Sequence, residues 1–402
     1  MKRTREDPTV AVDADAHKRA RPSSDEEEEL PYGLGSIVTI RRIERTYGGC
    51  AMDEAKSAVQ KYSRRDEFDK ALKFAIEMDL FSLHPDGRHI QTNLWNRFKI
   101  IALEDVSLAN VNALIRIDAR LRCLEEGRKR RRDANGGREP AGLASPTEQQ
   151  ALVDIVWALC TSKHCRLPSH YNAAFCKPEV LPALAAEAPE IHRQLERDTE
   201  LVGIVNRLVY CLEQRWGAGF APLQELMARK TGPTKHLKST NTVYLALDVF
   251  DWFVRKAHPN WVADDDKTVL LDFLGVMVRW CKYMAANKEG PPLCLRSAYL
   301  ALILSDRVQW RRAVKVPPSD FDAGQAYQSH LDLEVDLSID KCAIDMHTRR
   351  GRSAGKGKEV FGACSVVANE DTNLLDPLYK RLYLLTKGSG SLPLPPSPSP
   401  AP

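Results

Sequence analysis

The sequence has no apolar run long enough to span a bilayer, and its first residues are charged where a signal peptide would be apolar. Segments in which polar and apolar residues alternate, as in half-buried strands, are also scarce. The first two absences predict a soluble, unsecreted chain with no membrane contact. The third argues against β and α/β folds.

Matched cysteine pairs with zinc-site spacing are lacking as well. A short cluster contains Cys160, His164, Cys165, His170 and Cys176, but no second pair with matching spacing follows the first. Cys160 ends an apolar helical run, where a buried thiol is common. Ten cysteines without a secretory signal are expected to stay reduced. We therefore predict structural thiols and no metal or other cofactor, with a zinc site as the alternative.

A nucleotide-binding loop of the Walker type is also missing. The segment 349–358 holds five cations and three glycines, but Gly351 and Gly355 are one residue too close for the G-x-x-x-x-G-K-[ST] pattern. Lys356 is followed by Gly357, where the pattern needs a hydroxyl to hold magnesium. The segment instead predicts contact with a phosphate backbone or an acidic partner.

The composition that is present is ordinary for a globular protein: 402 residues, of which 43% are hydrophobic and 28% charged. This length predicts one large domain or two. The net charge of +4 is modest, so any affinity for a polyanion has to come from clustered cations.

Apolar residues recur at helical spacing between the two ends of the chain, and this periodicity predicts an all-α fold. In the segment 66–76, Phe68, Leu72 and Ile76 share one face, and Ser63 is placed to cap the helix. The predicted helices cover residues 66–76, 93–103, 106–124, 149–160, 195–214, 242–257, 267–286 and 294–310.

Changes in composition divide the chain into six segments. Both ends lack the apolar residues needed for a core and are predicted to be disordered tails. The segments are a tail at 1–35, a first helical block at 36–126, a basic linker at 127–146, a second helical block at 147–340, a basic glycine-rich loop with a terminal helix at 341–387, and a Pro/Ser-rich tail at 388–402.

Two basic clusters in the N-terminal tail resemble a bipartite nuclear import signal. The first is Lys2 and Arg3, and the second, after a polar spacer, is Lys18, Arg19 and Arg21. They predict a nuclear protein that binds a nuclear import receptor.

Three breaks in the helical pattern, around residues 130, 235 and 355, carry clustered cations. If the fold brings them together, their charges add against a nucleic-acid backbone. The predicted contacts are Arg128, Lys129, Arg130, Arg131, Arg132, Lys235, Lys238, Arg349, Arg350, Arg352, Lys356 and Lys358.

Asp345 and His347 form an Asp-x-His pair just before the last of these breaks. Such a pair could bind a metal or exchange a proton, but the sequence fixes no nucleophile or second carboxylate beside it. We predict structural roles: Asp345 accepts hydrogen bonds from the following turn, and His347 packs or faces phosphate.

Two segments, 53–78 and 94–109, resemble the helical region that follows the ATPase module in RarA/MgsA-type proteins, the bacterial relatives of Werner-helicase-interacting protein. Ser107 stands where that family usually has glycine, and the segment 160–167 resembles one of its later turns. The matching positions are Ala71, Leu72, Ala75, Ile100, Ala102, Glu104, Asp105, Val106, Leu108 and Ala109.

The resemblance implies an orthogonal, collar-like helical bundle with a role in oligomerisation and in contact with the DNA-replication machinery. The ATPase module of that family has no counterpart here, so ATP-driven activity is not implied. For Glu104 and Asp105 we predict structural roles, either capping the next helix or pairing with an arginine such as Arg97.

Together these observations predict a non-enzymatic nuclear protein that associates with DNA or with a DNA replication or repair assembly. The alternative is a protein-interaction scaffold or oligomerisation module with no nucleic-acid contact. A homo-oligomer stays open under either interpretation. A third hypothesis is an enzyme that uses Asp345 and His347.

Overall fold

Helices account for nearly all regular structure, which confirms the all-α prediction. A computed structural model describes residues 45–84, 87–138, 142–169, 199–215, 219–229, 242–256, 262–357, 360–361 and 364–371. Within these ranges the helices are α1 (Met52–Ser63), α2 (Phe68–Asp79), α3 (Arg88–Ile101), α4 (Val111–Ala134), α5 (Pro146–Thr161), α6 (Thr199–Glu213), α7 (Phe220–Ala228), α8 (Thr242–Lys256), α9 (Asp264–Tyr283), α10 (Gly290–Ile303), α11 (Ala323–Leu331) and α12 (Arg349–Ser353). Strand pairing in the same residues is limited to two isolated bridges.

Local signals set several helix starts. Ser145 and Glu148 form a reciprocal capping box at the start of α5, and Pro146 occupies its first turn, where a missing N–H costs nothing. The start of α2 differs from the prediction, because Ser63 is the buried last residue of α1 and caps nothing. Asp66 has a φ of 61° and breaks the helical path between the two helices.

The basic segment predicted as a linker begins as a helix, because α4 continues to Ala134. Arginine and lysine are good helix formers, so a run of them does not end a helix. Gly127 is a close-packing position there: a β-carbon at this residue would collide with the side chain of Glu148 on α5. Arg131, one turn later, forms an ion pair with the same glutamate.

One continuous apolar core holds buried side chains from α1 through α11. The two predicted helical blocks therefore pack against each other. A buried polar contact also joins them: Asp118 of α4 accepts hydrogen bonds from Arg279 and from the Trp280 indole of α9.

After α11 the chain returns to α1. The Asp340 amide donates to the Tyr62 hydroxyl, and the Ala368 amide donates to the Arg64 carbonyl. This return places the predicted Asp345 and His347 beside α1, where Asp345 pairs with Lys61.

Candidate nucleic-acid interface

A basic groove lies between α3, the C-terminal half of α4 and the end of α9, and we call it the α3–α4 groove. Its volume is about 310 Å³. The lining residues are Arg88, Thr92, Trp95, Asn96, Lys99, Glu125, Arg128, Lys129, Arg132 and Tyr283.

Two aromatic rings in the groove carry cations on their faces. The Arg128 guanidinium lies 4.2 Å from the centre of the Trp95 ring and donates a 3.0 Å hydrogen bond to Thr92. The ammonium of Lys99 lies 4.4 Å from the centre of the Tyr283 ring. Trp95 is buried, whereas Tyr283 is 52% exposed and can meet a ligand.

The groove carries five cations and one carboxylate, that of Glu125. The Glu125 carboxylate forms an ion pair with Lys99, with 3.4 Å between its oxygen and the ammonium nitrogen. Its hydrogen bond with Tyr283, together with burial, raises the pKa of the tyrosine to about 12. Burial lowers the pKa of Lys99. The cations of the α3–α4 groove thus outnumber its carboxylate, and they lie on a partly desolvated surface.

The predicted nucleic-acid contacts of the first basic break, residues 128–132, lie in different places in the structure. Arg128, Lys129 and Arg132 line the groove. Arg130 is exposed next to it, and neither Lys129 nor Arg130 forms an ion pair with a described residue. Arg131 instead points to Glu148 and holds α4 against α5.

The cations of the third break bind the protein itself. Arg349 and Arg350 form ion pairs with Asp53 and Glu54 of α1. Arg352 donates to the His347 carbonyl at 2.9 Å, and Lys356 donates to the Ile344 carbonyl at 2.6 Å.

None of these four side chains lines the α3–α4 groove, so the first and third breaks do not converge there. Lys235 and Lys238 of the second break lie outside the described residues, as do Lys358, Lys2, Arg3, Lys18, Arg19, Arg21 and both predicted tails.

Glu104 and Asp105 lie on a π-helical turn, Ala102–Val106, directly after α3. Asp105 is fully buried and pairs with Arg64, the residue that follows α1, with Nε–Oδ1 at 2.8 Å and Nη2–Oδ2 at 3.1 Å. Burial would raise the pKa of Asp105, but the charges of Arg64 and Arg166 outweigh it and hold the pKa below its usual value. The structural role agrees with the prediction. The arginine partner does not, since the predicted Arg97 makes no ion pair with Asp105.

The neighbouring carboxylate behaves differently. Glu104 accepts a 2.9 Å hydrogen bond from Gln60, and burial and the adjacent Asp105 charge raise its pKa. Ser107, which ends this turn, has a φ of 46°, in the left-handed region that favours glycine.

Asp345 accepts a 2.8 Å hydrogen bond from the His347 amide, as predicted, and its other oxygen lies 3.2 Å from the Lys61 ammonium. The His347 ring packs edge-on against Phe361, with 5.1 Å between ring centres. The Thr348 hydroxyl donates to the backbone carbonyl of Asp345 at 2.9 Å and to no carboxylate oxygen of it. The pair holds the 345–361 segment against α1.

The cysteines near residue 160 are buried thiols. Cys160 and Cys165 are fully buried, and burial raises the pKa of Cys165 to about 12. Both ring nitrogens of His164 face backbone carbonyl oxygens, at 2.8 Å and 3.0 Å, so neither is available to a metal. In the described part of the chain, no group of three or more metal-ligating side chains is arranged to hold an ion, and His170 and Cys176 lie outside that part.

Comparisons with known proteins add no relative, since no family model, curated protein or solved structure matches this chain. Among the described helices, none combines the length and apolar character needed to cross a membrane.

Proposed function

We propose that this chain is a non-enzymatic nucleic-acid-binding protein whose contact surface is the α3–α4 groove. The observation that carries the proposal is the groove's composition: five cations and one carboxylate surround a half-exposed tyrosine. Cations attract the phosphate backbone without regard to sequence, and an exposed ring offers a stacking face to an unpaired base.

The exposed ring favours single-stranded DNA over duplex. Bases in a duplex are already stacked, whereas a single strand can turn a base onto Tyr283 while its phosphates lie along Arg88, Lys129 and Arg132. The predicted nuclear signal and the resemblance to the RarA/MgsA helical region support a place in a DNA replication or repair assembly.

The proposal is tested by fluorescence anisotropy with a labelled single-stranded oligonucleotide over a range of salt concentrations. The test protein carries Arg88→Gln, Lys129→Gln and Arg132→Gln. We expect it to bind at least tenfold more weakly at low salt, with the slope of log affinity against log salt reduced by about 2, because each phosphate contact contributes about 0.7 for single strands.

The matched control carries Arg349→Gln, Arg350→Gln and Arg352→Gln, which removes the same number of charges at residues that do not line the groove. It should bind DNA as the unchanged protein does. If both triple variants bound DNA equally weakly, the loss of binding would follow from net charge alone. That result would overturn the proposal. Absence of binding at low salt would favour the scaffold alternative, which a partner pull-down insensitive to nuclease would support.

A further inference from the structure

A second cavity, separate from the α3–α4 groove, lies between α1, α3 and the 345–361 segment. Its volume is about 470 Å³, within the range of small-molecule sites. Five cations line it, namely Lys56, Lys61, Arg64, Arg97 and Arg166. We call it the α1–α3 cavity.

Arg64 presents an unused hydrogen-bond donor at this cavity. Its side chain is 2% exposed, its Nη2 atom donates to Asp105, and its Nε atom lies 2.8 Å from the same carboxylate. Nε makes this ion-pair contact without hydrogen-bond geometry, and neither Nε nor Nη1 has a hydrogen-bond partner among the described residues. In the planar guanidinium the Nε and Nη2 hydrogens share one edge, so Nη1 is directed away from Asp105. A buried donor without a partner is unfavourable and calls for an acceptor.

Lys56 and Arg97 add two cations that form no direct ion pair with a described carboxylate, although Asp53 acts on Lys56, and Glu104, Glu289 and Asp105 act on Arg97, through their charges. Burial lowers the pKa of both, and the charge of Arg97 lowers that of Lys56 further. The hydrogen bond of Arg97 goes to the neutral amide oxygen of Gln60, at 3.3 Å. Two adjacent, partly desolvated cations repel each other, and an anion between them would remove that repulsion.

Most acidic residues of the cavity either bind other groups of the protein or have a raised pKa, which disfavours their charged form. Asp345 pairs with Lys61. One oxygen of Asp53 accepts the Arg349 amide, while its Oδ1 atom has no hydrogen-bond partner among the described residues, and its charge partly offsets the lowering of the Lys56 pKa. Glu104 has a raised pKa and is hydrogen-bonded to Gln60. Glu289 lies on the exposed rim. The donors left over are Lys56, Arg97 and the Nη1 atom of Arg64.

We propose that the α1–α3 cavity is a binding site for the phosphoryl group of a small organic phosphate of about mononucleotide size, held by Lys56, Arg64 and Arg97. A phosphoryl group suits the site because its oxygens accept several hydrogen bonds at once and its charge balances the two unpaired cations. The same chemistry would accept the terminal phosphate of a nucleic-acid strand.

The test measures thermal unfolding of the full chain as inorganic phosphate, and separately adenosine monophosphate, is titrated at constant ionic strength. Binding to the folded state raises the melting temperature in a saturable way. Lys56→Gln and Arg97→Gln should each weaken phosphate binding at least tenfold. Arg255→Gln is the control, because it removes one cation from an exposed ion pair within α8.

A second readout separates binding from structural support. Without phosphate, the Lys56→Gln and Arg97→Gln proteins should melt at or above the temperature of the unchanged protein, because each substitution removes a desolvated charge. A lower melting temperature in both would show that the cations support the fold, and would overturn the proposal. Phosphate binding that both variants retain, or no saturable effect up to about 10 mM phosphate, would overturn it as well.

The source of the phosphate is distinguished by competition with oligonucleotides that carry either a 5′-phosphate or a 5′-hydroxyl. Selective competition by the phosphorylated strand assigns the site to a strand end, and no competition by either strand assigns it to a free small phosphate. Both of these results support a phosphoryl site, whereas equal competition by the two strands would show binding of internal phosphates and would overturn the proposal. The triple variant of the α3–α4 groove should bind inorganic phosphate normally, so failure of one proposal does not imply failure of the other.

Discussion

At the residue scale, Asp79 is a buried carboxylate whose charged form is destabilised by its surroundings. It lies at the end of α2, is 1% exposed and has no cationic partner in hydrogen-bond contact among the described residues. Its oxygens accept hydrogen bonds from Tyr327 at 2.8 Å and from Gln91 at 3.0 Å. Burial nevertheless dominates and raises the pKa of Asp79.

This raised pKa predicts the direction of a pH dependence. The folded state holds the proton more tightly than the unfolded state, whose aspartate pKa is about 3.9. The contribution of Asp79 to stability is therefore fully present below that value and is lost as the pH rises through the folded-state pKa. Asp79→Asn keeps a neutral side chain of the same shape, so its stability should fall less between pH 4 and pH 7. Urea unfolding across this pH range measures the difference. Parallel pH curves for the two proteins would contradict the prediction.

The partner of Asp105 shows the limit of sequence reasoning for single residues. The sequence left two roles open for this carboxylate, capping the next helix or pairing with an arginine such as Arg97. The structure selects Arg64, 41 positions earlier, because α1 packs beside the turn that follows α3. An aspartate that becomes buried needs a partner for its charge. The packing of α1 beside the turn after α3 decided that this partner is Arg64.

At the scale of elements, α4 and α5 show why a basic run is not by itself a linker. Periodicity located α2, α5, α6, α8 and α9 to within four residues at each end. It predicted no helix at the positions of α1, α7, α11 and α12. It ended α4 too early, because the polar run 128–132 has no apolar face to extend the pattern. The continuation depends on a close contact at Gly127 and on the pairing of Arg131 with Glu148.

Gly127→Ala tests this contact. In an open helix the change would stabilise by up to about 1 kcal/mol, since alanine is the better helix former. Here the added methyl group collides with Glu148 and should cost about 1–3 kcal/mol, as overpacking does.

Gly203→Ala in α6 is the matched control, because the nearest atom to its β-carbon is the flexible Arg207 guanidinium, 3.9 Å away. Chemical denaturation of both variants compares the two free energies of unfolding. A stabilised Gly127→Ala protein would mean that α4 and α5 are not closely packed at this point.

At the scale of the whole molecule, Asp118 ties the earlier helices to the later ones. It is 2% exposed and binds Arg279 and Trp280 of α9, 161 and 162 positions away. The Trp280 side chain is fully buried, so its indole N–H depends on this carboxylate.

Asp118→Ala leaves that buried N–H without an acceptor and should destabilise by about 1–3 kcal/mol. Because one core spans α1 to α11, tryptophan fluorescence and far-UV circular dichroism should still report coincident urea transitions. Asp251→Ala, in an exposed pair within α8, should cost no more than about 0.5 kcal/mol. Two separate transitions would show that the helical blocks unfold independently.

The sequence by itself determined the helical class, the approximate course of most helices and the places where cations cluster. These follow from apolar spacing and residue type, which act over a few positions. Tertiary structure decided which cations face outward and which bind the protein, since Arg349 and Arg350 meet carboxylates almost 300 positions away, whereas Lys129 meets none in the described chain. It also created the α1–α3 cavity, whose donors come from two helices that no local pattern places side by side.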